Sequence, residues 1–217
     1  MLRKKFVAIL CLAAVFALAG CGGNSFVGIW TGDAEDPWGY GASALAIFTS
    51  SNWMVMVPEE EIELRGAYTV SGNTATIHSR GSVNTASISG GTLMASFNDL
   101  GTVTLKKARP LPLNAGKWVD GVFDAATRDI VYSFNIENGT TYYVWTNDGW
   151  EGDDSKTCDI YFIAFDENTV YGYGDDHWRR AFQFTAESRG RVYIAVAPYS
   201  PDHGTFAIAY TTTPTRP

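Results

Sequence analysis

The chain has 217 residues, of which 46% are apolar and 18% are charged, so neither an intrinsically disordered protein nor a coiled coil fits it. Twenty-two glycines and 14% aromatic residues favour short strands joined by tight turns. The formal net charge of −7 argues against a nucleic-acid partner, because phosphate binding needs clustered lysine and arginine side chains.

The chain begins with the pattern of an export signal. Three cations (Arg3, Lys4 and Lys5) precede an apolar run over residues 6–18, which is too short to cross a hydrocarbon core of about 30 Å as a stable helix. We therefore expect residues 1–20 to be a signal peptide. Its removal takes away three cations and changes the formal charge from −7 to −10.

The sequence LAGC at residues 18–21, followed by GGNS, resembles the lipobox of bacterial lipoproteins, in which small residues precede a cysteine that receives diacylglycerol. The resemblance implies that Cys21 is lipidated, that residues 21–25 form a short tether, and that the lipid holds the protein on a membrane of the bacterial cell envelope. An ordinary secretory signal with an incidental Cys21 is the alternative. If Cys21 is acylated, Cys158 lacks a disulfide partner, and its apolar neighbours predict a buried, inert thiol.

The sequence pattern of residues 26–109 predicts a series of short strands. Apolar and polar side chains alternate over residues 62–70, as in a strand with one face in solvent, and tight turns are expected at 71–73 and 89–91. Sequential strands joined by short turns imply an antiparallel meander of about eight strands, and closing it into a barrel removes the exposed edges. Further strands are expected near residues 26–31, 43–48, 53–57, 74–78, 83–88, 93–97 and 102–106.

The sequence FVGIWTG at residues 26–32 resembles the Gly-x-Trp opening of lipocalin-like barrels, and later strands at 66–74 and 101–105 resemble those of short bacterial lipocalin-like domains. The resemblance implies that Trp30 plugs one end of the barrel beneath a cation from the last strand. A domain of about 82 residues is small for a lipocalin, which argues against a roomy lipid or haem pocket. The candidates for the cation are Lys106, Lys107 and Arg109.

The sequence KKARPLPLNA at residues 106–115 marks an internal break. Two prolines separated by one residue favour an extended, unpaired segment. We therefore place a linker over residues 110–115 and a second domain over residues 116–213.

The sequence of the second domain also predicts strands. Apolar residues alternate with polar ones over residues 130–136, and further strands are expected at 192–196 and 206–210. Residues 142–145 and 158–165 are apolar or aromatic on both faces, as expected of central strands in a two-sheet sandwich. The whole mature chain is therefore expected to be all-β, a barrel followed by a sandwich of roughly eight strands.

Five segments of this half resemble the bacterial pre-peptidase C-terminal-like domain. The resemblance implies a jelly-roll or Greek-key β-sandwich that binds polymers or assists export and has no catalytic residues of its own. The segments are IVYSF at 130–134, GTTYYV at 139–144, GDDSKTCDI at 152–160, GRVYIAV at 190–196 and GTFAIAY at 204–210.

An acidic, glycine-containing loop is the densest cluster of functional groups. Oxygen ligands in flexible loops are what Ca²⁺ requires, although the spacing here does not match an EF-hand. A solvated acidic loop and a calcium site therefore both stay open, and no cofactor is required. The candidate ligands are Asp148, Glu151, Asp153, Asp154 and Asp159.

Two tryptophans, Trp150 and Trp178, lie in polar or acidic loops and are candidates for ligand binding, because exposed indole rings stack on sugars or fill peptide pockets. Local packing is the alternative for both. In contrast, Trp30, Trp118 and Trp145 lie in strand patterns and are expected in the core.

Catalysis has little support. The histidines His78, His177 and His203 are scattered, and the sequence contains no nucleophile elbow, zinc-binding or phosphate-binding motif. We predict a non-enzymatic, membrane-anchored lipoprotein whose domains bind a glycan or protein ligand at the cell envelope. The alternatives are a structural or assembly component of the envelope and a small-ligand carrier that uses the barrel.

Overall fold

The computed structural model describes residues 25–35, 41–49, 52–57, 62–79, 82–97, 101–125, 127–150, 155–174, 180–200 and 203–217. Within these ranges the protein is all-β. No helix that could cross a membrane is found among the described residues.

Eight antiparallel strands close into a barrel, in which each strand pairs with its neighbour in sequence and the last pairs with the first. This confirms the predicted meander and its closure. The turns predicted at 71–73 and 89–91 are present, and each connects the two strands of one hairpin. The strands are β1 (Gly28–Glu35), β2 (Gly41–Phe48), β3 (Asn52–Val57), β4 (Ile62–Ser71), β5 (Thr74–Ser79), β6 (Ser82–Ser89), β7 (Thr92–Phe97) and β8 (Gly101–Lys107).

Side chains fill the interior of the barrel. Along β7, for example, Leu93, Ala95 and Phe97 are buried and alternate with exposed neighbours, as the two-residue period of a strand requires. Large aromatic rings lie among alanines, and Trp53 stacks on Phe97 with ring centroids 5.4 Å apart. The described interior is therefore a packed hydrophobic core.

Trp30 lies at one end of this core, as the lipocalin resemblance implied. Its indole N–H donates to the carbonyl of Phe26 at 2.8 Å, and the ammonium of Lys107 lies 5.5 Å from the ring centroid. Gly28 makes this stacking possible, because a Cβ there would lie 2.7 Å from Cε of Lys107. Lys107 is therefore the cation over Trp30, and not Lys106 or Arg109.

The second half forms two sheets with the strand orders β10-β17-β12-β15 and β14-β13-β16-β11-β9. Apart from β9, this is the strand order of a jelly roll, as predicted. The strands are β9 (Leu111–Pro112), β10 (Val119–Phe123), β11 (Ile130–Ile136), β12 (Thr141–Asn147), β13 (Asp159–Phe165), β14 (Val170–Gly174), β15 (Phe182–Thr185), β16 (Gly190–Ser200) and β17 (Gly204–Thr211).

The segment between the domains is extended, but it is not unpaired as we expected. Leu111 and Pro112 lie parallel to Tyr132 and Ser133 of β11, so β9 adds an edge strand to the sandwich. Leu113 follows, donates its N–H to the carbonyl of Ser133 at 2.9 Å and is buried in the sandwich core. Proline is compatible with this position because an edge strand leaves its outer side unpaired.

A third apolar cluster joins the two domains. Outward-facing residues of β1, β2 and β3 in the barrel pack against the outer face of the five-stranded sheet. Its buried members are Ile29, Leu45, Ile47 and Met56 from the barrel and Val131, Ile163 and Phe165 from the sandwich. We call this cluster the domain interface.

The domain interface explains why β13 is apolar on both faces. Ile160, Phe162 and Ala164 face the sandwich core, whereas Ile163 and Phe165 face the barrel. Residues 158–165 were expected to be apolar because the strand is central in a sandwich. The physical reason is different, because one of its two faces is covered by the other domain.

Candidate functional site

Trp150 lies in the turn after β12 and is 73% exposed. The backbone beneath it is fixed on both sides. The carboxylate of Asp148, which is only 4% exposed, accepts the N–H of Trp150 at 3.1 Å, and the N–H of Gly149 donates to the carbonyl of Cys158 at 2.9 Å. The turn therefore holds its main chain in place while most of the Trp150 surface remains in solvent.

Glycine is required at position 149 by a close approach of two backbone segments. A Cβ there would lie 2.9 Å from the carbonyl carbon of Thr157 and 3.1 Å from the nitrogen of Cys158. Any larger residue would push the Trp150 turn away from the start of β13.

Tyr199 is a second exposed aromatic residue at this end of the sandwich, and the sequence reasoning missed it. It is 72% exposed and lies where Asp159 pairs with Ser200 and Ile160 pairs with Pro198. Tyr199 is therefore the extra residue of a β-bulge, and bulges redirect a side chain out of the regular alternation. A tyrosine in the sequence PYSP was the available signal.

The loop that leads into β13 is tied to neighbouring strands. The ammonium of Lys156 pairs with the carboxylate of Asp120 on β10 at 2.5 Å. The N–H groups of Thr157 and Cys158 both donate to the carbonyl of Thr205 on β17, at 3.0 and 3.1 Å. These contacts fix the support beneath Trp150 and Tyr199. We call the surface formed by those two residues the aromatic end.

The predicted calcium ligands are placed only in part. Asp148 is buried and holds the turn of Trp150, and Asp159 begins β13. Glu151, Asp153 and Asp154 lie outside the described residues. Among the residues that the structure does describe, no three metal-ligating side chains come together. A calcium site and a solvated acidic loop therefore both stay open.

Other predicted site residues, Cys21 and Trp178, also lie outside the described part of the chain. Of the tryptophans expected in the core, Trp30 and Trp145 are buried. Trp118 is half-buried instead, because its ring packs against the guanidinium of Arg216, 5.2 Å away, and not in a hydrophobic cluster.

The three histidines and Cys158 are side chains that could take part in acid–base or thiol chemistry. His78 lies exposed on β5 of the barrel, and His203 lies exposed before β17 of the sandwich; His177 lies outside the described residues. Cys158 is fully buried, and its Sγ–H donates to the carbonyl of Asp159 at 3.2 Å. Its burial confirms the predicted packing of this thiol.

No protein-family model and no curated protein matches the chain. Among solved structures, the chain is similar to the pre-peptidase C-terminal domain of collagenase from Bacillus anthracis, with a TM-score of 0.40 and 14% identity over 49% of this chain and 98% of that one. It is also similar to PliG of Aeromonas hydrophila, a periplasmic inhibitor of g-type lysozyme, with a TM-score of 0.35 and 15% identity over 48% of this chain and 98% of that one. At these values, function has to be argued from the site itself.

Proposed function

We propose that the protein is a lipid-anchored component of the bacterial cell envelope that binds a glycan or protein ligand without catalysing a reaction. The aromatic end of the sandwich is its contact surface. The observation that supports this most directly is the exposure of Trp150 on a turn whose backbone is fixed by buried Asp148. Large aromatic residues on a rigid support bind with little loss of conformational entropy, and they dominate many interfaces.

The anchoring part of the proposal rests on the lipobox sequence. Replacing Cys21 with serine removes the thiol that accepts the lipid, so we expect the variant to leave the membrane fraction. The measurement is fractionation of cells followed by detection of the protein. Retention of Cys21→Ser in the membrane fraction would show that another feature holds the protein there.

The binding part is tested on arrays of glycans and envelope proteins, with the full mature chain as probe. We expect Trp150→Ala to weaken the captured interaction at least about tenfold, because central aromatic anchors carry that much affinity. Val83→Ala is the control, since Val83 is 65% exposed but lies on β6 of the barrel. Binding that survives both Trp150→Ala and Tyr199→Ala would exclude the aromatic end.

The alternatives differ in their expected results. A structural or assembly component would co-purify with an envelope complex and would keep that association in Trp150→Ala. A small-ligand carrier needs space inside the barrel, but the described interior is filled by side chains such as Trp53 and Phe97. The packed interior therefore favours binding at the surface.

A further inference from the structure

A cleft of about 340 Å³ lies between the barrel and the sandwich, next to the domain interface. Its apolar lining includes Ile47, Met54 and Val170, which also belong to the domain interface. Its polar rim includes Asn52 from the barrel and Asn168 from the sandwich. The cleft therefore combines an apolar surface with polar groups that are supplied by both domains.

The two asparagine side chains are available for a ligand. Both residues are exposed, and in the described part of the chain their only hydrogen bonds are made by backbone atoms. A carboxamide has one acceptor oxygen and two N–H donors, so each can donate and accept at the same time. The carboxylate of Glu167 and the guanidinium of Arg65 also line the cleft, so its two charged groups have opposite signs and add both an acceptor and donors.

The sandwich wall of the cleft is a rigid turn centred on Asp166, which is 6% exposed. One of its carboxylate oxygens accepts the N–H groups of Asn168 and Thr169 at 2.7 and 2.8 Å, and the other accepts the hydroxyl of Tyr171 at 2.7 Å. Burial, followed by this hydrogen bond, raises the pKa of Tyr171 and keeps its hydroxyl a donor. The backbone of Asn168 is therefore held in place before any ligand arrives.

The backbone around the cleft favours a hydroxyl-rich ligand over an extended peptide. Peptides often bind by adding a strand to an open sheet edge, but β3 pairs with both β2 and β4 in the closed barrel. On the sandwich side, β14 is the edge strand of the five-stranded sheet, but it contributes only its first residue, Val170, to the lining of the cleft. In the turn, the N–H groups of Asn168 and Thr169 already donate to Asp166. The cleft thus presents side-chain groups that both donate and accept, beside an apolar surface for the C–H face of a sugar ring.

We propose that this cleft binds a neutral disaccharide unit, with the carboxamides of Asn52 and Asn168 bonding to its hydroxyl groups from the two sides. The volume suits two sugar rings. The site is separate from the aromatic end. The Trp150 turn contacts Cys158, which immediately precedes β13, whereas Asp166 immediately follows the last residue of β13. The two sites therefore lie at opposite ends of this strand, which has seven residues and is about 23 Å long.

The test measures ligand binding by saturation-transfer NMR, with the full mature chain in a detergent without a sugar headgroup. The probes are maltose, cellobiose, lactose and N,N′-diacetylchitobiose, each up to about 20 mM, and the peptide trialanine. The variants are Asn52→Ala and Asn168→Ala. Asn135→Ala is the matched control, because Asn135 is exposed on β11 and does not line the cleft. Equal melting temperatures establish that all variants are folded.

We expect at least one disaccharide to bind and each of Asn52→Ala and Asn168→Ala to weaken it about threefold to tenfold, as the loss of one or two neutral hydrogen bonds does. Asn135→Ala is expected to bind as the unchanged chain does. No binding of any disaccharide overturns the proposal, as does a loss confined to one asparagine. Binding of trialanine alone would make the cleft a peptide site.

The outcome also separates this site from the aromatic end. If Trp150→Ala abolishes disaccharide binding while both asparagine variants retain it, the sugar binds at the aromatic end, and the cleft proposal fails while the proposed function stands. If the cleft binds a disaccharide and the arrays show no role for Trp150, the assignment of the aromatic end as the contact surface fails and the cleft proposal stands.

Discussion

Tyr132 on β11 provides the sharpest test of how the sandwich core is built. It is fully buried, and its hydroxyl is the one buried side-chain polar atom in the described part of the chain without a hydrogen-bond partner. Leaving a buried hydroxyl unsatisfied costs about 1 to 3 kcal/mol. We therefore expect Tyr132→Phe to cause no loss of stability at neutral pH and to raise the free energy of unfolding by about 1 kcal/mol.

The same residue predicts a pH dependence. Burial, and then the negative charge of Asp120, raises the pKa of Tyr132 from 10.0 to about 12. Because the folded-state pKa is the higher one, this contribution to stability is complete below pH 10 and is lost as the pH rises towards 12. At about pH 11, a difference of two pKa units corresponds to a loss of about 1.4 kcal/mol. Tyr132→Phe lacks this loss.

The assay is urea unfolding of the unchanged chain and its variants at about pH 7 and about pH 11. The gap between Tyr132→Phe and the unchanged chain is expected to widen by about 1.4 kcal/mol at the higher pH. Tyr142→Phe is the matched control, because the hydroxyl of Tyr142 accepts the N–H of Glu137 at 2.9 Å. That variant is expected to lose about 1 kcal/mol at neutral pH. A Tyr132→Phe variant as destabilised as Tyr142→Phe would refute the reasoning.

Three further predictions concern other parts of the chain. Phe165→Ala is expected to lower the free energy of unfolding by about 3 to 5 kcal/mol, because Phe165 is fully buried in the domain interface and stacks on Tyr193; chemical unfolding measures this, and a loss below about 1 kcal/mol would argue against the interface. Asp166→Asn is expected to cost about 1 to 3 kcal/mol by the same measurement and to weaken ligand binding in the cleft, since a neutral amide oxygen accepts the N–H groups of Asn168 and Thr169 less strongly than a carboxylate does and the Tyr171 hydroxyl loses its charged acceptor; unchanged stability would contradict the network. About 2 mM calcium chloride is expected to leave the melting temperature unchanged, because Asp148 already accepts the N–H of Trp150; a reproducible rise that a chelator reverses would establish the acidic loop as a calcium site.

The barrel and the sandwich could both be predicted from the sequence, because each strand carries its own evidence. Alternation over residues 62–70 and the glycine turn at 71–73 together specify one hairpin. The sequence predicted a cation over Trp30, but Lys107 was only one of three candidates for it. The direction in which a lysine side chain lies depends on its neighbours, and here Gly28 leaves the room for it.

The domain interface and the cleft could not be predicted, for a shared reason. The period of a strand tells which residues lie on one face, but it does not tell what covers that face. Ile163 and Phe165 were therefore assigned to a generic central strand. Asn52 and Asn168 lie far apart in the sequence, so only the packing of the two domains brings them to one cleft. Tyr199 was missed because a bulge interrupts the alternation that the prediction relied on.

The covered outer face of β13 also bears on where the chain can be cut. The proline-containing segment marks a boundary in the sequence. A cut there would nevertheless divide the domain interface, because each fragment would keep only its own half of the contact. A barrel cut off after residue 109 would expose Ile47 and Met56, and a sandwich alone would expose Ile163 and Phe165. Contiguous apolar patches of this kind promote aggregation. Each half is therefore expected to be poorly soluble when it is produced without the other.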